Sequence, residues 1–236
     1  MPTWLGTAIA ILLLGGLGLL IFALTYILLK QVVFAQKSSQ PTSKALRERD
    51  NDRVTLSQLQ VALLAQAKGV QSDLCDLSLR IDTSTAEGLA ELLQEAALVL
   101  LRHSEFWSHA LSHSQSRHID TAEAAFGQLS MAQRSKFSAE TLTNVKGKVQ
   151  QTALISPQNE SSDYIVVTLL VGTAHDQPLF KTLRSTQELK EALEKLAAIP
   201  PDYLMKVEVL WSPQAETDSL TYDELLTEYT EMVPLI

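Results

Sequence analysis

Apolar and polar positions divide the chain into stretches of different period. Residues 5–29, LGTAIAILLLGGLGLLIFALTYILL, hold no charged side chain, and only Thr7, Thr25 and Tyr26 carry a hydroxyl. As a helix this run measures about 37 Å at about 1.5 Å per residue, against a hydrocarbon core of about 30 Å, which predicts one transmembrane helix within residues 1–30. Trp4 and Tyr26 suit the two interfacial zones, and Lys30 ends the run. A cleaved signal peptide fits less well: no Lys or Arg precedes the run, which is longer than the roughly 7–15 residues of an h-region. Residues 36–53 are polar, contain Pro41 and have no apolar period, which makes residues 31–53 a juxtamembrane linker.

Over residues 54–145 the pattern predicts about three helices. Val54, Leu56, Leu59, Val61, Leu63, Leu64 and Val70 mark a first. Ser84-Thr85-Ala86-Glu87 reads as a capping box opening a second, in which Leu89, Leu92, Leu93, Ala96, Ala97, Leu100 and Leu101 recur at i, i+3, i+4, i+7. A third, around Thr121–Met131, offers Ala125, Phe126 and Leu129 as a facing surface.

The period changes after residue 160. Tyr164–Val171 is β-branched and continuously apolar, as a buried strand is. Residues 185–198 form a helix capped by Ser185 with Glu188, stopped by Pro200 and Pro201. Leu204–Trp211 is a further strand, and Thr221-x-x-Glu224 opens a last, acidic helix to Tyr229. Strand, helix, strand reads as a βαβ unit with parallel strands, joined by a third strand near Val149–Ile155. The expected fold class is α+β: a transmembrane helix (1–30), a linker (31–53), a helical part (54–145) and an acidic βαβ-α part (146–236).

Charge sharpens this division. The net charge is −8. Residues 1–160 hold 14 Lys/Arg and 14 Asp/Glu, and residues 161–236 hold 5 and 13, so the whole deficit lies in the last part. An acidic domain repels phosphate backbones, which argues against nucleic acid as a partner. Lys30, Lys37, Lys44, Arg47, Arg49 and Arg53 all follow the apolar run. By the positive-inside rule the N-terminus then lies outside and the C-terminal domain in the cytoplasm.

Candidate chemistry is sparse. A single cysteine, Cys75, excludes an internal disulfide framework and a four-Cys zinc site. It lies among Leu74, Leu77 and Leu79 and reads as a small core residue. His103, His109, His113 and His118 cluster, and on a helix His109 and His113 would share a face at a spacing that suits a metal. No HExxH accompanies them, so the reading is a surface helix end, with a metal-binding protein or metalloenzyme as the alternative. His175-Asp176 follows a strand and reads as a turn. No phosphate loop, catalytic set, cofactor site or metal site is assigned. The candidate partner-binding residues are Trp211, Pro213, Glu224, Glu228 and Glu231, in a stretch without Lys or Arg from residue 207 to 236.

The blocks VTLSQLQVALLAQAKGVQSDL (54–74), DTSTAEGLAELLQEAALVLLRH (82–103), FGQLSMAQRSKFSAETLTNV (126–145), YIVVTLLVGT (164–173) and VEVLWSPQAETDSLTYDELLTEY (207–229) resemble the fluctuating-light acclimation proteins. These are a domain-of-unknown-function family of cyanobacteria and chloroplasts. The resemblance implies a thylakoid or plasma membrane and a role in adjusting energy dissipation and the light-driven proton gradient. It implies no enzyme chemistry, and the histidine cluster is not part of the family pattern. Without an Arg/Ser-rich transit peptide, the sequence is more similar to a cyanobacterial protein than to a plastid precursor. The expectation is a membrane-anchored regulatory protein with a membrane-protein partner; a structural, membrane-organising protein is the remaining alternative.

Overall fold

The structure is a computed structural model that describes residue 48 and residues 50–67, 69–145 and 163–236, with backbone alone over 137–145. The apolar run with Trp4, Tyr26 and Lys30, and the strand expected near Val149–Ile155, lie outside the described residues. Among the described residues no helix is long and apolar enough to cross a membrane.

In chain order the elements are β1 (Arg53–Leu64), α1 (Val70–Arg80), α2 (Ala86–Arg102), β2 (Trp107–His118), α3 (Ile119–Val145), β3 (Tyr164–Thr173), α4 (Thr186–Ala197), β4 (Leu204–Ser212), α5 (Tyr222–Glu228) and β5 (Val233–Pro234). The five strands form one antiparallel sheet in the order β4-β3-β1-β2-β5. Together with its helices this sheet belongs to the unit Glu48–Ile236. The α+β class holds, with strands drawn from both sides of residue 146.

Three expectations are corrected. Residues 54–64 are the sheet's central strand rather than a helix. Both faces of β1 are covered, and its polar-apolar alternation reverses phase between Ser57 and Gln58, so neither face reads as the apolar one throughout. Residues 107–118, with His109 and His113, form β2 rather than a helix. Finally, β3 and β4 pair antiparallel, Leu169 opposite Val209. The connection between them runs out and back. Residues 174–184 descend along the sheet as an extended strap, and α4 returns about 18 Å, so β4 starts where β3 ended.

Side chains sort the two faces. On one face α3 crosses all four long strands. Ala122 and Phe126 of α3 pack on Val54, Leu56, Leu170 and Leu210. Farther along the same face, Leu225 and Tyr229 of the α5 segment pack on Ala62, Tyr164 and Val166. A buried polar layer separates these clusters. There Gln60 Nε2 donates to Gln133 Oε1 at 2.8 Å and to Thr168 Oγ1 at 2.9 Å. Beside it, Glu208 accepts from Ser130 Oγ at 2.6 Å and from Arg134 Nη2 at 3.2 Å.

The other face buries Leu59, Val61, Leu63, Val167 and Leu169. Helix α2 packs against β4 and carries α1 and α4. Serines of β2 fasten the strap here. Ser114 Oγ accepts from Leu179 N at 2.8 Å, and Ser112 Oγ accepts from Leu183 N at 2.9 Å and donates to Lys181 O at 3.0 Å. Thr55 Oγ1 donates to His175 O at 2.7 Å.

The N-cap of α2 is Thr85, whose side chain accepts from Gly88 N, and not Ser84, which turns back to Asp82. The capping boxes of α4 and α5 form as the sequence predicts.

Candidate functional site

The two ends of the sheet lie roughly 37 Å apart along β1 at about 3.4 Å per residue. At the distal end, β1 finishes and α5 and β5 close the domain. Thr221 caps α5 because its hydroxyl accepts from Glu224 N, while the Glu224 carboxylate returns to Thr221 N at 2.8 Å. Glu224 is therefore both exposed and committed to the cap. Glu228 and Glu231 lie exposed on the following turn. Their negative field meets Lys136 of α3, whose ammonium sits 3.9 Å over the Tyr229 ring. Burial pushes the Lys136 pKa down, and Glu228 and Glu231 oppose that shift.

An aromatic cluster flanks these acids. The rings of His109, Tyr164 and Tyr222 lie 6.1–6.4 Å apart pairwise. Burial lowers the His109 pKa, favouring neutral imidazole, and its Nδ1 shares a 2.5 Å hydrogen bond with Ser108 Oγ. Tyr222 and Leu226 are about half exposed beside the carboxylates. The surface therefore pairs acid with apolar groups, a composition suited to a basic, partly apolar partner.

Trp211 and Pro213 stand apart from that surface. Pro213 is buried, and its carbonyl accepts from Gln71 Nε2 of α1 at 2.8 Å. Trp211, part-buried on β4, has an indole N–H without a hydrogen-bond partner among the described residues. Of the five candidate partner-binding residues, Glu224, Glu228 and Glu231 are exposed together, whereas Trp211 is part-buried and Pro213 buried.

At the proximal end the chain enters β1. Here the His175 ring lies 4.5 Å from the Tyr203 ring, and Tyr203 OH donates to Glu48 at 3.1 Å. Asn51 Nδ2 donates to Asp176 Oδ1 at 2.5 Å. Burial lowers the His175 pKa; Glu48 opposes the shift, Lys195 adds to it, and Asp176 opposes it. His175 and Asp176 thus fasten the incoming chain, an elaboration of the expected turn. At the same end, on the opposite, α3-covered face, a groove of about 360 Å³ opens between α3 and β4, floored by Val54, Leu56, Phe126 and Gly172.

The four clustered histidines are not brought together as a metal site. On β2, His109 and His113 are separated by roughly 13 Å at about 3.3 Å per residue, too far to share an ion. His103 caps the end of α2 through Val99 O, and His118 pairs with Asp120 at 3.2 Å. No group of three ligating side chains converges among the described residues. Cys75 is exposed on α1, correcting its core assignment, because α1 turns Leu74 and Leu77 inward instead.

Two features escaped the sequence reading. The Ser112-x-Ser114-x-Ser116 alternation has the period of a strand, and that period was the available signal for the strap anchors. The Gln60–Gln133–Thr168 layer joins residues far apart in the chain and has no local signature.

Residues 53–235 match a family model described as "Protein of unknown function (DUF1517)". The chain is 36% identical over 223 residues to Protein FLAP1 homolog A of Synechocystis sp., covering 91% of this chain and 67% of that protein. It is 40% identical over 190 residues to FLUCTUATING-LIGHT-ACCLIMATION protein 1, chloroplastic, of Arabidopsis thaliana, covering 79% of this chain and 48% of that protein. The chain thus spans about half the length of the plant relative. No solved structure matches.

Proposed function

The chain belongs to the fluctuating-light-acclimation family, and on that premise we propose that it is a single-span membrane-anchored regulatory protein of a photosynthetic membrane. It acts when light intensity changes, by adjusting energy dissipation and the light-driven proton gradient. Its role is binding rather than catalysis. The observation that carries this reading is the extent of the match: the family region begins at the first residue of β1 and runs through β5. The similarity therefore covers the whole sheet and both of its ends.

In this reading the apolar run at residues 5–29 holds the domain at the cytoplasmic face of the membrane. A short tether then raises the domain's effective concentration for membrane-bound partners. Glu224, Glu228 and Glu231, with Tyr222 and Leu226 beside them, meet a basic surface on a membrane-protein partner.

The test is a deletion strain followed by chlorophyll fluorescence and transmembrane proton gradient through alternating low and high light, with a complemented strain as control. A defect confined to the light steps supports the proposal, and wild-type behaviour overturns it. Complementation with Glu224→Gln/Glu228→Gln/Glu231→Gln tests the acidic surface. Glutamine at position 224 retains a capping-box side chain, so the helix survives while charge is lost. Full rescue by that variant removes the acidic surface from the mechanism.

A further inference from the structure

The proximal end of the domain carries two of its exposed large apolar side chains at the mouth of one groove. Ile119, at the start of α3, and Met205, at the start of β4, are 40% and 48% exposed and both line it. The floor is apolar, and Lys206 reaches over it, 4.9 Å from the Phe126 ring. Water gains little from such a surface, and the exposed pair at its rim is the kind of feature that marks an interaction site.

The chain itself identifies the occupant. The segment arriving from the apolar run enters the domain at the same end of the sheet: Asp52 O accepts at 2.8 Å from the backbone N of Ile119, a residue of the groove's rim, while Glu48 accepts from Tyr203 on the strap side. Residues 30–52 separate the run from β1. A covalent link of that length keeps the domain within about 80 Å of the run even at full extension. An apolar-mouthed groove at the tethered end is thereby held within reach of the bilayer, while the acidic surface lies at the opposite end of the sheet.

We propose that this end of the domain docks on the bilayer, with Ile119 and Met205 entering the interface and the groove between α3 and β4 receiving lipid apolar groups. The proposal rests on the membrane-anchor reading above. Charge around the mouth is mixed: Lys206 and Glu123 line it, and Asp120 and Asp52 adjoin Ile119. Docking is therefore apolar in origin and needs no anionic lipid. Side chains of this size enter the interface by roughly 5–10 Å. The acidic surface at the far end then faces away from the membrane.

The experiment uses the full chain in phosphatidylcholine vesicles, in a Cys75→Ser background. An environment-sensitive fluorophore is placed at Met205→Cys, at Ile119→Cys or, as the distal reference, at Leu226→Cys. Lipids carrying a nitroxide on the upper acyl chain serve as quencher, and an alkaline carbonate wash separately reports whether the chain is anchored. Docking predicts loss of most emission at 205 and 119, none at 226, and no change in molar salt. Adding Met205→Asp to the 119-labelled chain restores its emission. A carbonate-resistant chain with unquenched labels at 205 and 119 overturns docking and leaves the anchor standing. Release by carbonate overturns the anchor reading, and docking with it. Self-quenching between 205 labels without lipid quenching assigns the groove to a second copy and equally overturns the proposal.

Discussion

At the residue scale, local chemistry reverses what a propensity scale would advise. A glycine inside a helix costs about 1 kcal/mol relative to alanine, so Gly88 in the first turn of α2 looks like a site for improvement. A Cβ there would collide with the Asp82 carbonyl and meet Thr85 Oγ1 at 3.0 Å. The first obstacle is backbone, which cannot swing away, and Thr85 is the helix cap. Gly88→Ala is expected to destabilise the domain by about 1–3 kcal/mol, the usual cost of overpacking. Urea denaturation checks this, and a stabilised variant would show that the turn at 82–85 gives way freely. Gln60 presents the complementary case. Gln60→Leu leaves Gln133 Oε1 and Thr168 Oγ1 without their donor under α3, at an expected cost of about 1–3 kcal/mol. Adding Gln133→Leu should recover part of that loss. No recovery in the double variant would place the cost in misfitted volume rather than in the lost hydrogen bonds.

Elements show where local pattern suffices and where it fails. The strap at residues 174–184 has no ladder of its own and depends on side-chain anchors from β2. Ser112→Ala/Ser114→Ala should lower hydrogen-exchange protection at the Leu179 and Leu183 amides selectively, at about 1 kcal/mol per lost bond. Equal loss across α4 would mean that strap and helix open as one unit. The helices α2, α4 and α5 were legible because each has one buried stripe and a cap written within four residues. Only the cap of α2 was displaced, by one residue. β1 was not legible. Val54 and Leu56 mark one face as apolar and Leu59, Val61 and Leu63 the other, so the period of two reverses phase within the strand and points to neither face alone. β2 was misread for a different reason. Its inward residues are small and polar, serving the strap, so they lacked the apolar mark of a core strand. The acidic residues of the candidate surface were legible as charge. Their aromatic neighbour His109 was not, because it reaches them only through the pairing of β2 with β5.

At the scale of the whole domain, the two ends belong to one sheet, and acid tests whether they unfold together. His109 at the distal end and His175 at the proximal end both have pKa values lowered from the ordinary 6.5, chiefly by burial. The unfolded chain therefore binds protons that the folded chain refuses, and stability rises with pH wherever the unfolded state holds more protons. Stability supplied by these two imidazoles is fully present above the unfolded value near 6.5 and falls as the pH drops toward the folded values. The other shifted groups act elsewhere. Asp82 is held low by its Ser84 hydrogen bonds, and Glu188 chiefly by the Arg184 backbone N–H, so both lose their contribution only in the carboxylate range. Lys136, lowered by burial, acts in the alkaline range. Urea midpoints taken between about pH 5 and 7 should thus fall with acid in the wild type. His109→Gln/His175→Gln should flatten that slope, each single variant removing part of it. If the two ends share one fold, either substitution alone moves a single common transition observed from probes at both ends. Separate transitions, one following each histidine, would instead mean that the sheet transmits no stability between the groove at β1's start and the acidic surface at its finish.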